Sequence, residues 1–554
     1  MDDLSTRRKL MVLVGLALGL FLAMADATIM SIATPELMYQ LNTSIPNISW
    51  VMNGYNLVLT VLFLTMGKVA DHYGRKLVFT TGLAVFTAAS LGCAFSPTIY
   101  WLIGFRCVQA VGGAAIVPIS LAILLGAFPQ RQQGLSAGLF GAVSTFAAAL
   151  GPVLGGVLIA RGAWHWHFIH LHGTWQWIFL FNVPVGLVGL ALALVLVPRR
   201  THERATGRID FAGVALVSAG LFCLTLALIQ SNAWHWGSTL ILALFAAAAV
   251  ALGLFIFWEL RSPNPLLDLR LFKRRAFSSA AVAIMTVDVA MMGTAFILVI
   301  YMVALMDFKE LRAAAAIAVM PLASLVLTPL TGWTIDRIGP RWLAVTGAAC
   351  SAAGLFALGH ITLNSSLGSI MWRTALVGIG LGLSLPSLMA SGMSALHDAV
   401  KGVGSGALNT ARQLGFLLGV AILVAVFGIT MQNAVHSAAR QARTWVAQSP
   451  YLSIATRDSI NSALAAADRI NATADMTQIR QVAHPIGDIP QPADVNEALA
   501  LLDLSNRMET LYIDKVAQAF RGPFYTAGFA ALLAVIPGFL LPRRLPKHAA
   551  AAFI

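Results

Sequence analysis

The sequence predicts an all-α integral membrane protein of 14 transmembrane helices, arranged as two pseudo-symmetric six-helix bundles with two further helices inserted between them. Three observations carry that prediction. Of the 554 residues, 58% are hydrophobic and only 11% charged, whereas soluble domains are about a quarter charged. The apolar residues come in runs of about 20, the length a helix needs to cross about 30 Å of hydrocarbon. A short polar signature then recurs eight runs after its first appearance.

The runs lie near residues 11–33, 49–67, 77–95, 99–125, 134–160, 175–197, 211–230, 239–258, 277–305, 312–331, 342–361, 370–390, 405–430 and 521–541. The first follows Arg7, Arg8 and Lys9 as a secretory leader would. It has no small-x-small cleavage site before Asp26, however, and it opens a series of like segments, so it reads as a retained span. With the N-terminus in the cytoplasm, Arg199, Arg200, Lys273, Arg274 and Arg275 also fall on the cytoplasmic side, and the short outer loops hold only Arg161, Lys309 and Arg312. That asymmetry satisfies the positive-inside rule and puts both termini inside. The formal net charge of +13 is thus spread over inter-helix loops, and without a basic tract on a polar domain it predicts no nucleic-acid partner. Cys93, Cys107, Cys223 and Cys350 lie within apolar runs, which argues against a disulfide framework or a CxxC metal site. No GxxxxGK[ST] loop occurs, so ATP drive within this chain is disfavoured.

One long polar segment, 431–520, separates the last two spans and falls outside. DSINSALAAADRI and NEALALLDLSNRMETLYIDKVAQAF within it are helix-like, and HPIGDIPQP breaks them. A small helical cap and a mobile loop without a partner are both open. An outer partner such as a periplasmic adaptor would attach here. The loop WHWHFIHLHGTW carries His165, His167, His170 and His172. Their spacing matches no metal motif, and Trp-rich sequence is expected at a membrane interface, so no metal site is assigned.

The recurring signature is GKVADHYGRK (67–76) and GWTIDRIGPR (332–341), in which Gly67, Asp71, Gly74 and Lys76 match Gly332, Asp336, Gly339 and Arg341. Pro118 and Pro386, Gly134 and Gly402, Gly138 and Gly406, and Gly151 and Gly419 continue the register. The chain therefore divides into a first six-helix bundle (1–200), an inserted pair of helices with their loops (201–275), and a second bundle (276–554) that includes the segment 431–520. Parallel repeats place a substrate site at their interface near the bilayer midplane and permit rocking between inward and outward states.

At this point the sequence resembles the major facilitator superfamily, and within it the fourteen-span drug:proton antiporter branch, over nearly its whole length except 431–520. GKVADHYGRK resembles the family's signature after span two, LIGFRCVQAVGGAA (102–115) its fourth-span motif, and GLFGAVSTFAAALGPVLGG (138–156) the fifth-span motif of antiporters. MADATIMSIATP (24–35) and WQWIFLFNVPVG (175–186) resemble motifs of the fourteen-span branch. The family often has Gly where this chain has Ala147, and Arg where it has Gln176. The resemblance implies a major facilitator fold and a proton-coupled secondary active transporter, not an enzyme. It would export drugs or other amphipathic small molecules by alternating access, confer antibiotic resistance, and sit in a bacterial inner membrane. Export of an endogenous metabolite, amino acid or lipid-like compound, and a non-transporting sensor or scaffold acting through 431–520, are the rival expectations. The partners implied are small-molecule substrate, protons and membrane lipids; no cofactor is expected beyond the proton gradient.

Asp26 lies within the first span, where a bare carboxylate costs several kcal/mol unless paired, protonated or in a water-filled cavity. Such a group is a natural proton carrier. Asp288, in the ninth span, is the other deep carboxylate and would be a second proton site or a cation-recognition residue. Arg106 matches the fourth-span arginine that the family resemblance implicates in proton coupling; because it keeps its charge, its role would be to hold a carboxylate, most simply Asp26. Gln109 lies one turn away. Phe63, Phe146, Phe296 and Tyr301, with Gln109 and Arg412, are candidates for the substrate cavity. Gly67, Asp71, Gly74, Arg75 and Lys76 would form a conformational latch, echoed by Asp336 and Arg341. Gly138, Gly151, Pro152, Gly155 and Gly156 would form the antiporter hinge, since proline removes a backbone donor and small residues allow close helix approach.

Overall fold

The computed structural model describes residues 6–41, 45–127, 133–160, 175–197, 210–231, 234–263, 265–267, 269–308, 310–394, 396, 401–468 and 494–544. The first half comprises α1 (Thr6–Gln40), α2 (Ile45–Tyr73), α3 (Arg75–Ala94), α4 (Ile99–Ala127), α5 (Gln133–Ala160) and α6 (Gln176–Leu196). The inserted pair is α7 (Phe211–Gln230) and α8 (Thr239–Glu259). The second half comprises α9 (Arg275–Ile300), α10 (Glu310–Ile338), α11 (Pro340–Leu358), α12 (Leu367–Ser394) and α13 (Lys401–Gln448). It continues through α14 (Ile454–Asp468) and α15 (Val495–Ala519) to α16 (Arg521–Leu533) and α17 (Val535–Phe539). Among the described residues 13 helical segments are long and apolar enough to cross a membrane, and α5, with its apolar stretch Phe146–Ile159, makes the fourteenth. Helices answer the bilayer because each satisfies its own backbone polar groups.

The signatures expected as loops are mostly helix. α2 runs on to Tyr73 and α10 to Ile338, because KVADHY and WTIDRI, the stretches before Gly74 and Gly339, hold no Gly or Pro. Each expected loop shrinks to one glycine at positive φ, +107° at Gly74 and +89° at Gly339, a region that glycine enters freely. The two differ in one respect. A Cβ on Gly74 would meet no atom within 4 Å, whereas one on Gly339 would overlap the carbonyl oxygen of Arg543.

The thirteenth span was expected to end near 430, yet α13 is 48 residues long. The sequence MQNAVHSAARQARTWVAQ contains no Gly or Pro to stop it, and Met431, Val435, Ala438, Ala442 and Val446 keep one face apolar at helical spacing. That face is buried against Ile460 and Leu464 of α14 and Leu504, Met508, Tyr512 and Val516 of α15. Glu497 joins the two shorter helices by accepting from Ser453 N (2.8 Å) and Thr456 Oγ1 (2.6 Å). The described part of 431–520 is therefore a packed helical domain rooted in the second half. HPIGDIPQP and the four-histidine loop lie outside the described residues.

The halves meet along α2 against α13 and α5 against α10. Gly406 brings α13 onto the backbone of α2, where a Cβ would lie 2.7 Å from Phe63 O. Ser405 Oγ donates to Pro118 O (3.2 Å) and Gln413 Nε2 to Asn56 Oδ1 (3.1 Å). Within the first half, Gly151 seats α5 on α1, since a Cβ there would overlap Thr28 Oγ1.

Candidate functional site

Asp26 lies on α1 about 22 Å along the axis from Met11 at 1.5 Å per residue. Its carboxylate receives donors from two other helices, α4 and α6, and a third, α3, backs them. Arg106 of α4 donates through Nη1 to Asp26 Oδ2, and also to Gln109 Oε1 (2.7 Å). Gln109 Nε2 donates to Asp26 Oδ1 (3.2 Å), and Asn182 Nδ2 of α6 donates to the same oxygen (3.0 Å). Ser90 of α3 accepts from Gln109 Nε2 (3.1 Å) and Asn182 Nδ2 (3.0 Å), and donates to Phe179 O (3.1 Å). Arg106 Nε reaches Val51 O (3.3 Å), and its Cζ lies 4.2 Å from the centre of the Tyr55 ring. Asp26 and Arg106 are each only 1% exposed. A buried ion pair persists only when its remaining donors and acceptors are also matched, and this network matches them.

The arrangement brings together Asp26, Arg106 and Gln109, which the sequence singled out, and adds Ser90, Asn182 and Tyr55, which it did not. Asn182 is one of two amides, with Gln176, in the otherwise apolar WQWIFLFNVPVG. Of the three surroundings that would make a carboxylate tolerable here, pairing is the one the geometry displays. Ser90 and Asn182 back the carboxylate from α3 and α6, so in this conformation it is sealed inside the first bundle.

Asp288 lies at a similar depth on α9, the counterpart of α1 eight helices on, about 20 Å from Arg275 at 1.5 Å per residue. Its surroundings differ. Arg412 Nε of α13 is 3.7 Å from Asp288 Oδ2, and neither atom hydrogen-bonds to any protein group among the described residues. Asp288 is 1% exposed, whereas the Arg412 side chain is 26% exposed.

At the face carrying the chain ends, Asp71 Oδ1 accepts from Arg75 Nε (3.1 Å) and Nη2 (3.0 Å), and Oδ2 accepts from Val403 N (3.0 Å) in the first turn of α13. Arg75 Nη1 also donates to Ala122 O (3.3 Å). A carboxylate at a helix N-terminus meets unpaired amides and the positive end of the helix dipole. Asp71 thereby joins α2 of one half to α13 of the other. Lys76 and Arg341, also expected in the latch, reach backbone carbonyls. Lys76 Nζ donates to Leu194 O (2.7 Å) and Val197 O (2.5 Å) at the end of α6, and Arg341 Nε donates to Leu541 O (2.7 Å) after α17. Each cation closes the carbonyl end of the last helix in its own half. The side chain of Asp336 lies outside those described.

Beside this face, Lys68 Nζ donates to Pro265 O (2.7 Å), and the buried Glu259 accepts from Leu266 N (3.1 Å) and Leu267 N (3.3 Å). Asp210 caps α7 through Gly213 N (2.9 Å) and accepts from Trp258 Nε1 (2.7 Å). The inserted pair is thus tied to α2 one turn before Asp71.

The aromatic candidates are scattered. Phe63 is buried in the core of the first half. Tyr301 is buried at the opposite end of α9, 5.1 Å from Phe520 between ring centres. Neither forms an open wall, because both fill gaps between helices. Phe146 is 36% exposed and sits 6.5 Å from Phe21; the side chain of Phe296 lies outside those described. On α5, Gly155 is buried, a Cβ on Gly156 would meet nothing within 4 Å, and the packing of Gly138 and Pro152 lies outside the described residues.

Residues 16–420 match the family described as Major Facilitator Superfamily. The chain belongs to this superfamily. It is 29% identical to the tetracenomycin C resistance and export protein of Streptomyces glaucescens, over 76% of each chain. It is 28% identical to the multidrug resistance protein Stp of Mycobacterium tuberculosis, again over 76% of each. Among solved structures it resembles the human organic anion transporter MFSD10 in fold, with a TM-score of 0.54 at 14% identity, covering 77% of this chain and 94% of that one.

Proposed function

We propose that the protein is a secondary transporter of the bacterial inner membrane that exports drugs or other amphipathic small molecules in exchange for protons. The observation that carries this reading is the sealed Asp26–Arg106–Gln109–Asn182 network within a two-half transporter fold. The resistance and export functions in the relatives' names support the direction of transport. The face with the chain ends is then cytoplasmic, and the Asp71 contact to α13 holds that side shut.

Protonation supplies the coupling. A neutral Asp26 no longer attracts Arg106, and one acceptor oxygen becomes a hydroxyl donor among groups that already donate to it. The network must rearrange, moving α4 against α1. An alternating-access machine needs only a small bias between its states, and coupling of about 1–3 kcal/mol suffices.

The test is export from proteoliposomes under an imposed proton gradient, across a panel of dyes and antibiotics. The wild-type protein is expected to move some of them. Asp26→Asn should lose gradient-driven movement yet retain measurable substrate binding. Undiminished export by that variant would remove Asp26 from the mechanism. Compounds accumulating in spent medium from producing cells, with no change in drug sensitivity, would instead favour an endogenous metabolite as cargo.

A further inference from the structure

α8 is the span least covered by the rest of the chain. Only 17% of its apolar stretch is buried, the smallest share among the 13 described spans, so lipid lies against it along its length. At its cytoplasmic end the charges are sorted by sign. Glu259 is buried and turned into the connector through Leu266 N and Leu267 N, and Asp210 is taken up by Gly213 N and Trp258 Nε1. The cations face outward. The connector and the start of α9 hold five of them within residues 261–275, namely Arg261, Arg270, Lys273, Arg274 and Arg275, and all five are exposed. Among the described residues, the side chains of Arg261, Lys273 and Arg275 donate to no protein group.

Arg261 shows which way this rim looks. A cation that only fixes topology extends away from the bilayer into water. The Arg261 guanidinium instead turns back along α8 and lies 4.0 Å from the centre of the Phe257 ring, one turn nearer the hydrocarbon. Phe257 is 52% exposed, and Phe211, Leu260 and Phe272 at the same membrane face are exposed as well. Cations without protein acceptors beside exposed rings match a phospholipid, whose phosphate and acyl chains meet at this boundary. An acidic soluble protein would meet the cations but not Phe257, which lies on the hydrocarbon side of Arg261. We propose that this rim is a seat for an acidic phospholipid. Arg261 holds its phosphate at the depth that Phe257 sets, and Lys273 and Arg275 add their charge from the start of α9. The lipid then fastens the inserted pair from its outer side, as Lys68 does from the side of α2.

The test is direct binding. Purified, delipidated protein is titrated separately with dioleoylphosphatidylglycerol and with dioleoylphosphatidylcholine, and native mass spectrometry reads the affinity for the first lipid bound. Phosphatidylglycerol should bind about fivefold or more tighter, the factor that one Lys or Arg near a membrane surface supplies. Arg261→Gln should weaken phosphatidylglycerol by about fivefold and leave phosphatidylcholine unchanged. Equal affinities of the two lipids for the wild-type protein overturn the proposal, as does a phosphatidylglycerol affinity in Arg261→Gln within about twofold of wild type. An equal loss in Arg544→Gln, the same charge change at another exposed position on this face, also overturns it, because that is diffuse attraction and not a seat. If Arg261→Gln loses both lipids, Lys273→Gln combined with Arg275→Gln decides: loss of phosphatidylglycerol alone supports the seat, and any other result rejects it.

Discussion

The two halves hold their deep carboxylates at matching depths on corresponding helices, yet treat them in opposite ways. Asp26 receives Arg106, Gln109 and Asn182, and its neighbour Ser90 ties that cluster to α3. Among the described residues Asp288 is paired with Arg412, at 3.7 Å. Repeat symmetry therefore fixes where a charge lies in the bundle and leaves its bonding free to diverge. The first half has closed its acid into a network that changes only as a unit. The second has left its acid with a partner that can leave without breaking a hydrogen bond.

The largest expected effect follows from that contrast. Asp26→Leu strands a buried guanidinium and should lower stability by about 3–5 kcal/mol. Arg412→Gln leaves the buried Asp288 carboxyl without its cation, but a carboxylate, unlike a guanidinium, can take up a proton, so the loss should be smaller, about 1–3 kcal/mol. Thermal unfolding of both variants in one detergent compares them directly; equal losses would mean that the hydrogen-bonded network adds nothing beyond charge pairing.

The glycine breaks sharpen the comparison at the membrane face. Both need positive φ, so alanine at either should cost about 1–3 kcal/mol in backbone strain. Gly339→Ala must also push back the chain at Arg543, and should lose a further 1 kcal/mol or more, in the range of about 1–3 typical of overpacking. Unfolding midpoints that fall equally for Gly74→Ala and Gly339→Ala would show that the Arg543 contact yields freely.

The latch comes next. Asp71→Ala removes the acceptor for Val403 N and should shift the balance between states by about 1.5 kcal/mol, close to tenfold. Spin labels at the exposed positions Tyr73 and Ile338, one on each half, should report a larger population of long distances. Arg341→Met should leave that distribution unchanged, because Arg341 closes a helix within its own half. A comparable shift in both variants would return Arg341 to the latch.

Much of this architecture is legible in the sequence, because hydropathy and loop charge respond to the bilayer itself. The fourteen spans and the repeat could be read from run length and register, and the pairing of Asp26 with Arg106 from the expense of a lone charge in hydrocarbon. Asn182 and Ser90 could not be ranked above other polar residues in apolar spans, since helix phase alone does not tell which face turns toward α1. Asp288 and Arg412 stood out singly, but nothing local links residues on helices four apart in the chain. The length of α13 was missed for a different reason. A hydropathy window ends where residues become polar, whereas a helix ends where its backbone is interrupted. Lys76 and Arg341 were assigned by their position in a charged motif, and their bonds to the carbonyls of Leu194, Val197 and Leu541 are contacts that a sequence pattern does not display.

The smallest effect concerns the inserted pair, which has no counterpart elsewhere in the chain. Lys68 comes from the same signature as the latch, yet its bond to Pro265 O fastens α2 to the connector between α8 and α9, while Glu259 folds that connector back on α8 through Leu266 N and Leu267 N. Leu266 and Leu267 in turn pack in the core that includes Phe277 of α9 and Leu64 of α2. Lys68→Met keeps the aliphatic length and removes one donor, so it should cost about 0.5–1.5 kcal/mol. The loss should be local: faster amide hydrogen exchange at Leu266 and Leu267, with the Tyr73–Ile338 distances unaltered. A change in those distances would instead make the inserted pair part of the latch, and the division between a mobile two-half machine and a passive insert would fall.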